Sequence, residues 1–195
     1  MRLLVVHAHP VPDSLGAALF RAAVEGATGA GHEVRTLDLH AEGFDPVMGE
    51  AEKRGYDEGR EAVDPILRRH GESLRWAEGI VLVFPTWWSG PPAILKGWLD
   101  RAWRPGVAFH TGEGGTRPGL AQVRVLGVVT TLGATRWQWS VLLGAPGRKA
   151  LLRGLLLCTG VRTRTFWLAL HDVDKSTEAD RRRFLDRVRA RTARL

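Results

Sequence analysis

Phe84-Pro-Thr-Trp-Trp-Ser-Gly-Pro-Pro-Ala-Ile-Leu-Lys-Gly-Trp-Leu-Asp-Arg-Ala-Trp103 follows the apolar run Ile80-Val-Leu-Val83 without a gap, and together they read as strand, binding loop and helix. Four apolar residues with no polar alternation suit a strand covered on both faces, as parallel strands are in α/β proteins. Pro85 is expected to stop that strand, because it has no N–H for a ladder bond and its φ is fixed. The paired tryptophans and Ser89-Gly90 then offer flat apolar walls and reachable amides at the carboxyl end of a strand, where open α/β sheets bind ligands. Proline is tolerated in a first helical turn, so a helix is expected from Pro91 to Trp103, with Ile94, Leu95, Trp98, Leu99 and Ala102 along one face.

The same alternation of apolar strands and amphipathic helices runs outward from this stretch in both directions, which predicts a parallel, doubly wound sheet. Strands are expected at Leu3 to His7, Val34 to Leu39, Ile80 to Phe84, Val123 to Thr130 and Thr163 to Leu168. Helices are expected at Ser14 to Thr28, Pro65 to Ala77, Pro91 to Trp103, Pro146 to Cys158 and Thr177 to Arg194. Asp13 or Ser14 can cap the first helix, Gly29 and Gly31 can end it, and Ser176 or Thr177 can cap the last. Glu42 to Asp64 shows little periodicity and reads as a long surface connection, and Gly106 to Gly119, with five glycines, reads as a second long loop. The expected architecture is α/β, a three-layer sandwich about a five-stranded parallel sheet of order 2-1-3-4-5, formed by one domain over residues 1–195.

Length and composition narrow the function classes. A chain of 195 residues with 44% hydrophobic content builds one well-buried core and shows no composition break. The single cysteine, Cys158, has no partner for an internal disulfide and is expected to be buried in Leu155-Leu-Leu-Cys158, which fits a cytoplasmic protein. No segment reaches the ~20 apolar residues of a membrane span, and the N-terminus reads as a strand rather than a signal peptide. The net charge of +7 raises nucleic acid as a partner, but the main basic cluster, Arg181 to Arg194, is the solvated face of a helix whose apolar side is Phe184, Leu185 and Val188. No nucleic acid and no membrane insertion are therefore expected. A milder consequence of the charge is attraction of phosphorylated ligands.

Two further segments bear on chemistry. After the first strand, His7-Ala-His-Pro-Val-Pro-Asp-Ser14 turns into a helix N-terminus, where free N–H groups and the dipole attract phosphate. Ser14, Leu15 and Gly16 would supply amides, Ser14 a hydroxyl and His9 a ring donor; a plain cap with a turn histidine reads equally well. Neither G-x-G-x-x-G after the first strand nor a G-x-x-x-x-G-K-[ST] loop is present. At the end of the fourth strand, Thr130, Thr131 and Gly133 offer hydroxyls and amides. In a 2-1-3-4-5 sheet the loops after strands one, three and four meet at one crevice, because strand order reverses between strands one and three.

These residues resemble the flavodoxin-like NAD(P)H:quinone oxidoreductases, a family that includes ancillary subunits of bacterial potassium efflux systems. The resemblance rests on His7-Ala-His-Pro leading to Ser14, on the motif from Phe84 to Arg101, and on Thr130-Thr-x-Gly133. It implies a flavin, FMN or FAD, with its phosphate at His9, Ser14, Leu15 and Gly16 and its ring against Pro85, Thr86, Trp87, Trp88 and Ser89. Thr130, Thr131 and Gly133 would face the pyrimidine side. It further implies NAD(P)H as co-substrate, a quinone-like acceptor, ping-pong hydride transfer through one pocket, and a homodimer whose sites the partner completes. Familiar members carry a tyrosine and a histidine shortly after the Thr-Thr-Gly-Gly segment, whereas this chain has Ala134-Thr-Arg-Trp-Gln-Trp-Ser140. Arg136 would then neutralise charge at the flavin and Trp137 or Trp139 would wall the substrate pocket; a surface arginine and packing tryptophans are the plainer alternative.

Two other functions fit parts of the chain. A regulatory flavin-binding subunit of a membrane transport system keeps the fold without turnover. A metal-dependent hydrolase would use His7, His9 and Asp13, but no third ligand motif accompanies them, so no metal site is expected.

Overall fold

The computed structural model describes residues 1–160 and 162–195. Its five-stranded parallel sheet has the order β2-β1-β3-β6-β7, with β1 at Arg2–His7, β2 at Glu33–Asp38, β3 at Gly79–Pro85, β6 at Val125–Thr131 and β7 at Arg164–Leu170. Counting these five alone, the order is 2-1-3-4-5, as expected. The three central strands carry apolar residues on both faces, and both faces are covered. Leu3, Val5, Val81, Val83, Val125 and Val129 turn toward α1 (Leu15–Gly29) and α6 (Glu178–Thr192). Leu4, Val6, Ile80, Leu82, Leu126 and Val128 turn the other way, into a cluster shared with α3 (Pro65–Trp76), α4 (Ala93–Ala102) and α5 (Pro146–Thr159).

The helix caps follow the expected chemistry. Ser14 caps α1, its hydroxyl accepting from the Ala17 N–H at 3.2 Å. Thr177 caps α6 in a reciprocal box with Asp180. α6 lies along α1, and Arg189 reaches Glu25 at 2.9 Å.

The remaining elements differ from expectation in instructive ways. β3 runs through Pro85, which pairs with Thr131 of β6. Its missing N–H costs nothing there, because it faces the side where β1 has already ended at His7, opposite Val83. α4 starts at Ala93 with Pro92 as its cap residue, two residues later than the proline rule suggests. β6 starts at Val125, and β7 is displaced to Arg164–Leu170. The connection from Glu42 to Asp64 holds an eight-residue helix, α2 (Glu50–Asp57), with no buried residue. Apolar periodicity could not mark it; local charge does, through Arg54–Glu50 at 2.6 Å, the Lys53–Asp57 pair and acidic residues in its first turn. Arg101, buried in α4, pins this helix through Glu52 at 2.7 Å.

The glycine-rich loop is also ordered. It forms a hairpin of β4 (Phe109–Gly112) and β5 (Gly115–Pro118). Cys158 is half-buried rather than buried, since it sits on the flank of α5 beside the exposed Leu157. Among the described residues, no helix is long and apolar enough to cross a membrane.

Candidate functional site

The loops after β1, β3 and β6 meet at the carboxyl edge of the sheet. β1 ends in His7, fully buried, stacked on Phe20 and hydrogen-bonded through Nδ1 to Asp38 at 3.0 Å. Burial pushes the Asp38 carboxyl up, but the bonds from His7 and the Ala41 N–H outweigh it and hold the group below the usual range. His7 is thus committed to β2 rather than to a ligand.

His9 is placed differently. The Val11 N–H donates to its Nδ1 at 3.1 Å, which makes Nδ1 the acceptor and leaves the ring proton on Nε2. Burial lowers its pKa, so the neutral form prevails at neutral pH. A Cβ on Gly16 would come within 3.0 Å of the His9 ring, so only glycine lets the imidazole lie this close to the first turn of α1. The first intrahelical bond runs from the Ala18 N–H to the Ser14 carbonyl, and among the described residues the Leu15 and Gly16 amides have no acceptor. No acidic residue occupies that turn. Four predicted residues, His9, Ser14, Leu15 and Gly16, are thus brought together at the first turn of α1, with two amides free.

After β3 the chain makes a two-residue turn. Trp87 and Gly90 exchange both backbone hydrogen bonds at 3.0 Å, and Trp88 and Ser89 take φ of 47° and 63°. Left-handed φ at two consecutive non-glycine residues is what a type I′ turn demands, and it is usually met by Asn-Gly. Holding it with Trp-Ser costs about 1 kcal/mol or more per residue, a cost characteristic of functional turns. The result is a fully exposed Trp88 indole, at 103% relative exposure, and a half-exposed Trp87 whose ring lies 6.4 Å from that of His9. The turn rests on α5: a Cβ on Gly147 would stand 2.3 Å from the Ser89 carbonyl oxygen.

The β3 and β6 loops are tied together. Thr86 Oγ1 and Thr130 Oγ1 are hydrogen-bonded at 2.8 Å, and the Thr86 N–H donates to the Thr131 carbonyl at 2.8 Å. The Thr130 hydroxyl, fully buried, is therefore occupied within the chain. Thr131 is half-buried at the strand end, and Gly133 is exposed, with Asp174 close beside it. Beyond lie Arg136 and Trp137, both exposed, and a π-helix over Gln138–Leu142. Trp137 stands in the open with Val141 and Leu142. Arg136 lines a recess with Arg148, Arg187 and His171 at the end of β7, and its charge, after burial, helps lower the His171 pKa.

Residue reading overlooked several contributors: Gly147 beneath the tryptophan turn, Asp174 beside Gly133, and the His171 recess. Each comes from an element distant in sequence, and no local pattern marks it. An apolar groove of about 440 Å³ also runs from Trp88 and Pro91 to Leu151 and Leu155. Among the described residues, no group of three or more His, Cys, Asp or Glu is arranged to hold a metal ion.

A five-stranded 2-1-3-4-5 sheet with three loops converging at the strand-order reversal defines a class, and this chain belongs to the family described as flavodoxin-like fold, whose sequence model matches residues 1–192. Among curated relatives, an uncharacterized NAD(P)H oxidoreductase of Escherichia coli is 34% identical over 112 residues, covering 57% of this chain and 57% of the relative. The rat NAD(P)H dehydrogenase [quinone] 1 is 33% identical over 125 residues, 55% of this chain and 45% of the relative. The chain spans about half the length of these curated relatives. A crystal structure from Streptococcus mutans superposes over 100% of both chains, with a TM-score of 0.84 and 26% identity.

Proposed function

We propose that this protein is a flavin-dependent NAD(P)H oxidoreductase that reduces quinones or similar aromatic acceptors. The carrying observation is the convergence at one sheet edge of an anion cradle at α1, indole walls after β3 and small polar residues after β6. The curated relatives named for NAD(P)H oxidation and quinone reduction support it.

The donor set suits FMN or FAD. The Leu15 and Gly16 amides, the Ser14 hydroxyl and His9 Nε2–H would receive the phosphate, with the positive end of α1 behind them. Pro85, Thr86, Trp87, Trp88 and Ser89 would hold the ring and keep water off it, and Thr131 and Gly133 would face its pyrimidine side. Thr130, its hydroxyl engaged by Thr86, would position the Thr86 backbone. A bound flavin supplies two-electron storage between NAD(P)H and acceptor. The protein's part is orientation and fixed dipoles that favour negative charge. One pocket serves both substrates in turn, so a ping-pong pattern is expected. Trp137 would wall the acceptor pocket, and Arg136 would contribute positive charge; full turnover in Arg136→Ala would remove that residue from the mechanism.

The exposed Trp88, Trp137, Val141 and Leu142, beside the apolar groove, support a homodimer whose second copy covers this face. We treat residues 1–195 as one flavin-binding domain and place it in the cytoplasm, in keeping with a lone, unpaired Cys158.

The test adds excess FMN or FAD, removes free cofactor by gel filtration, and records the visible spectrum and then NADH- and NADPH-dependent quinone reduction. A retained flavin band with turnover upholds the reading. Retention of neither flavin overturns it.

A further inference from the structure

Three arginines from three elements meet at the carboxyl end of β7: Arg136 from the stretch after β6, Arg148 from the first turn of α5 and Arg187 from α6. They line a recess of about 230 Å³ that no carboxylate lines, among the described residues. On α6, Arg182 pairs with Glu178, Arg183 with Asp180, and Arg189 with Glu25 and Asp186, while Arg181 bonds the Ser176 hydroxyl and Arg191 lies over the Phe166 ring. Arg136, Arg148 and Arg187 form no ion pair among the described residues. All three are exposed, so water screens their mutual repulsion and their forks are free to meet an anion.

The Trp167 and His171 side chains line the same recess, giving it a flat wall, although Trp167 Nε1 and His171 Nδ1 are themselves shut off from solvent. Trp139, stacked on Trp167 with ring centroids 6.3 Å apart, holds that indole in place. Ser140 adds a hydroxyl at the rim.

We propose that this recess is a binding site for a compact oxyanion of the phosphate or pyrophosphate class, held by Arg136, Arg148 and Arg187. Planar guanidinium forks match phosphate oxygens two at a time, and the α5 N-terminus adds its dipole to Arg148. The site is separate from the cradle at α1, which is built on β1. Its ligand is either the phosphate end of a nicotinamide coenzyme or a free phosphate anion, and the chemistry of recognition is the same.

The test titrates inorganic pyrophosphate into the purified, flavin-saturated protein by calorimetry at two ionic strengths. Because this readout needs no turnover, its failure is distinct from failure of the oxidoreductase reading. Saturable one-site binding is expected, weakened at least tenfold in Arg148→Ala and in Arg187→Ala and unchanged in Arg182→Ala, whose side chain lies outside the recess. Absence of saturable binding, or equal affinity in Arg148→Ala and Arg187→Ala, overturns the proposal. The source is then separated by steady-state kinetics. A raised KM for NADH or NADPH with unchanged kcat in both variants, and competition by pyrophosphate, upholds the site as one for coenzyme phosphate. Unchanged KM with no competition upholds it as a site for the free anion.

Discussion

The turn after β3 and the stretch after β6 border the same crevice but are built on opposite principles. Trp87 to Gly90 is closed by two reciprocal backbone bonds, backed by Pro91 and Pro92 and held in left-handed φ at Trp88 and Ser89. Leu132 to Ala145 is long, passes through a π-helical turn, and presents Trp137, Val141, Leu142 and an unpaired Arg136 to the outside. The first has its backbone bonds closed within one chain and stores strain to be so. The second presents apolar and cationic groups that its own chain leaves uncovered. A binding edge can thus pair one over-determined turn with one long stretch that its own chain commits only in part.

The contact between the tryptophan turn and α5 offers the strongest way to break this contrast. Gly147→Val places a side chain against the Ser89 carbonyl and is expected to destabilise by about 3 kcal/mol, lowering Tm by about 6–12 °C by calorimetry. A Tm within a degree or two of wild type would mean the turn does not rest on α5. Next in size is Thr86→Val, which removes the hydroxyl bond linking the roots of the two loops. The buried Thr130 hydroxyl is left with only its long contact to the Thr131 carbonyl, at 3.3 Å. A loss of about 1–2 kcal/mol in urea unfolding is expected.

Trp88→Gly has the opposite sign. Relief of the left-handed conformation should raise the stability of the dissociated chain by up to about 1 kcal/mol, while dimerisation measured by ultracentrifugation weakens. A stability loss instead would show that Trp88 packs within its own chain. The smallest effect is acid sensitivity on the β6 side. Burial and the Arg136 charge hold the His171 pKa below its ordinary 6.5. The unfolded chain then binds a proton near pH 6.5 that the folded chain resists, so stability is complete above that pH and declines below it. Between pH 7 and pH 5, Tm should fall less in His171→Asn than in wild type.

The contrast also explains what could be read from residues alone. Ile80 to Trp103 announced itself because each transition has a local cause: an unbroken apolar run, then prolines, then a 3.6-residue face. The parallel, doubly wound sheet followed from the alternation of elements and its strand order from the family resemblance, while the grouping at α1 followed from a serine cap. α2 was invisible to hydrophobic pattern because it buries nothing and is held by side-chain charge. The Gly106–Gly119 hairpin was hidden by glycines that read as loop, although Gly115 at φ +90° is what turns it. At the site, the proximity of Gly147 to Ser89 and the meeting of Arg148, Arg187 and His171 depend on helix placement across the sheet edge. No spacing in the chain encodes that directly.

The packing of α6 along α1, with Arg189 on Glu25 across 164 positions, has a consequence for biosynthesis. α1 emerges from the ribosome well before the helix that shields its flank. Until then Leu19, Val5 and Val81 have only part of their final covering. A nascent chain in that condition is a natural client for chaperones, and slower translation of its second half would lengthen the exposure rather than aid folding.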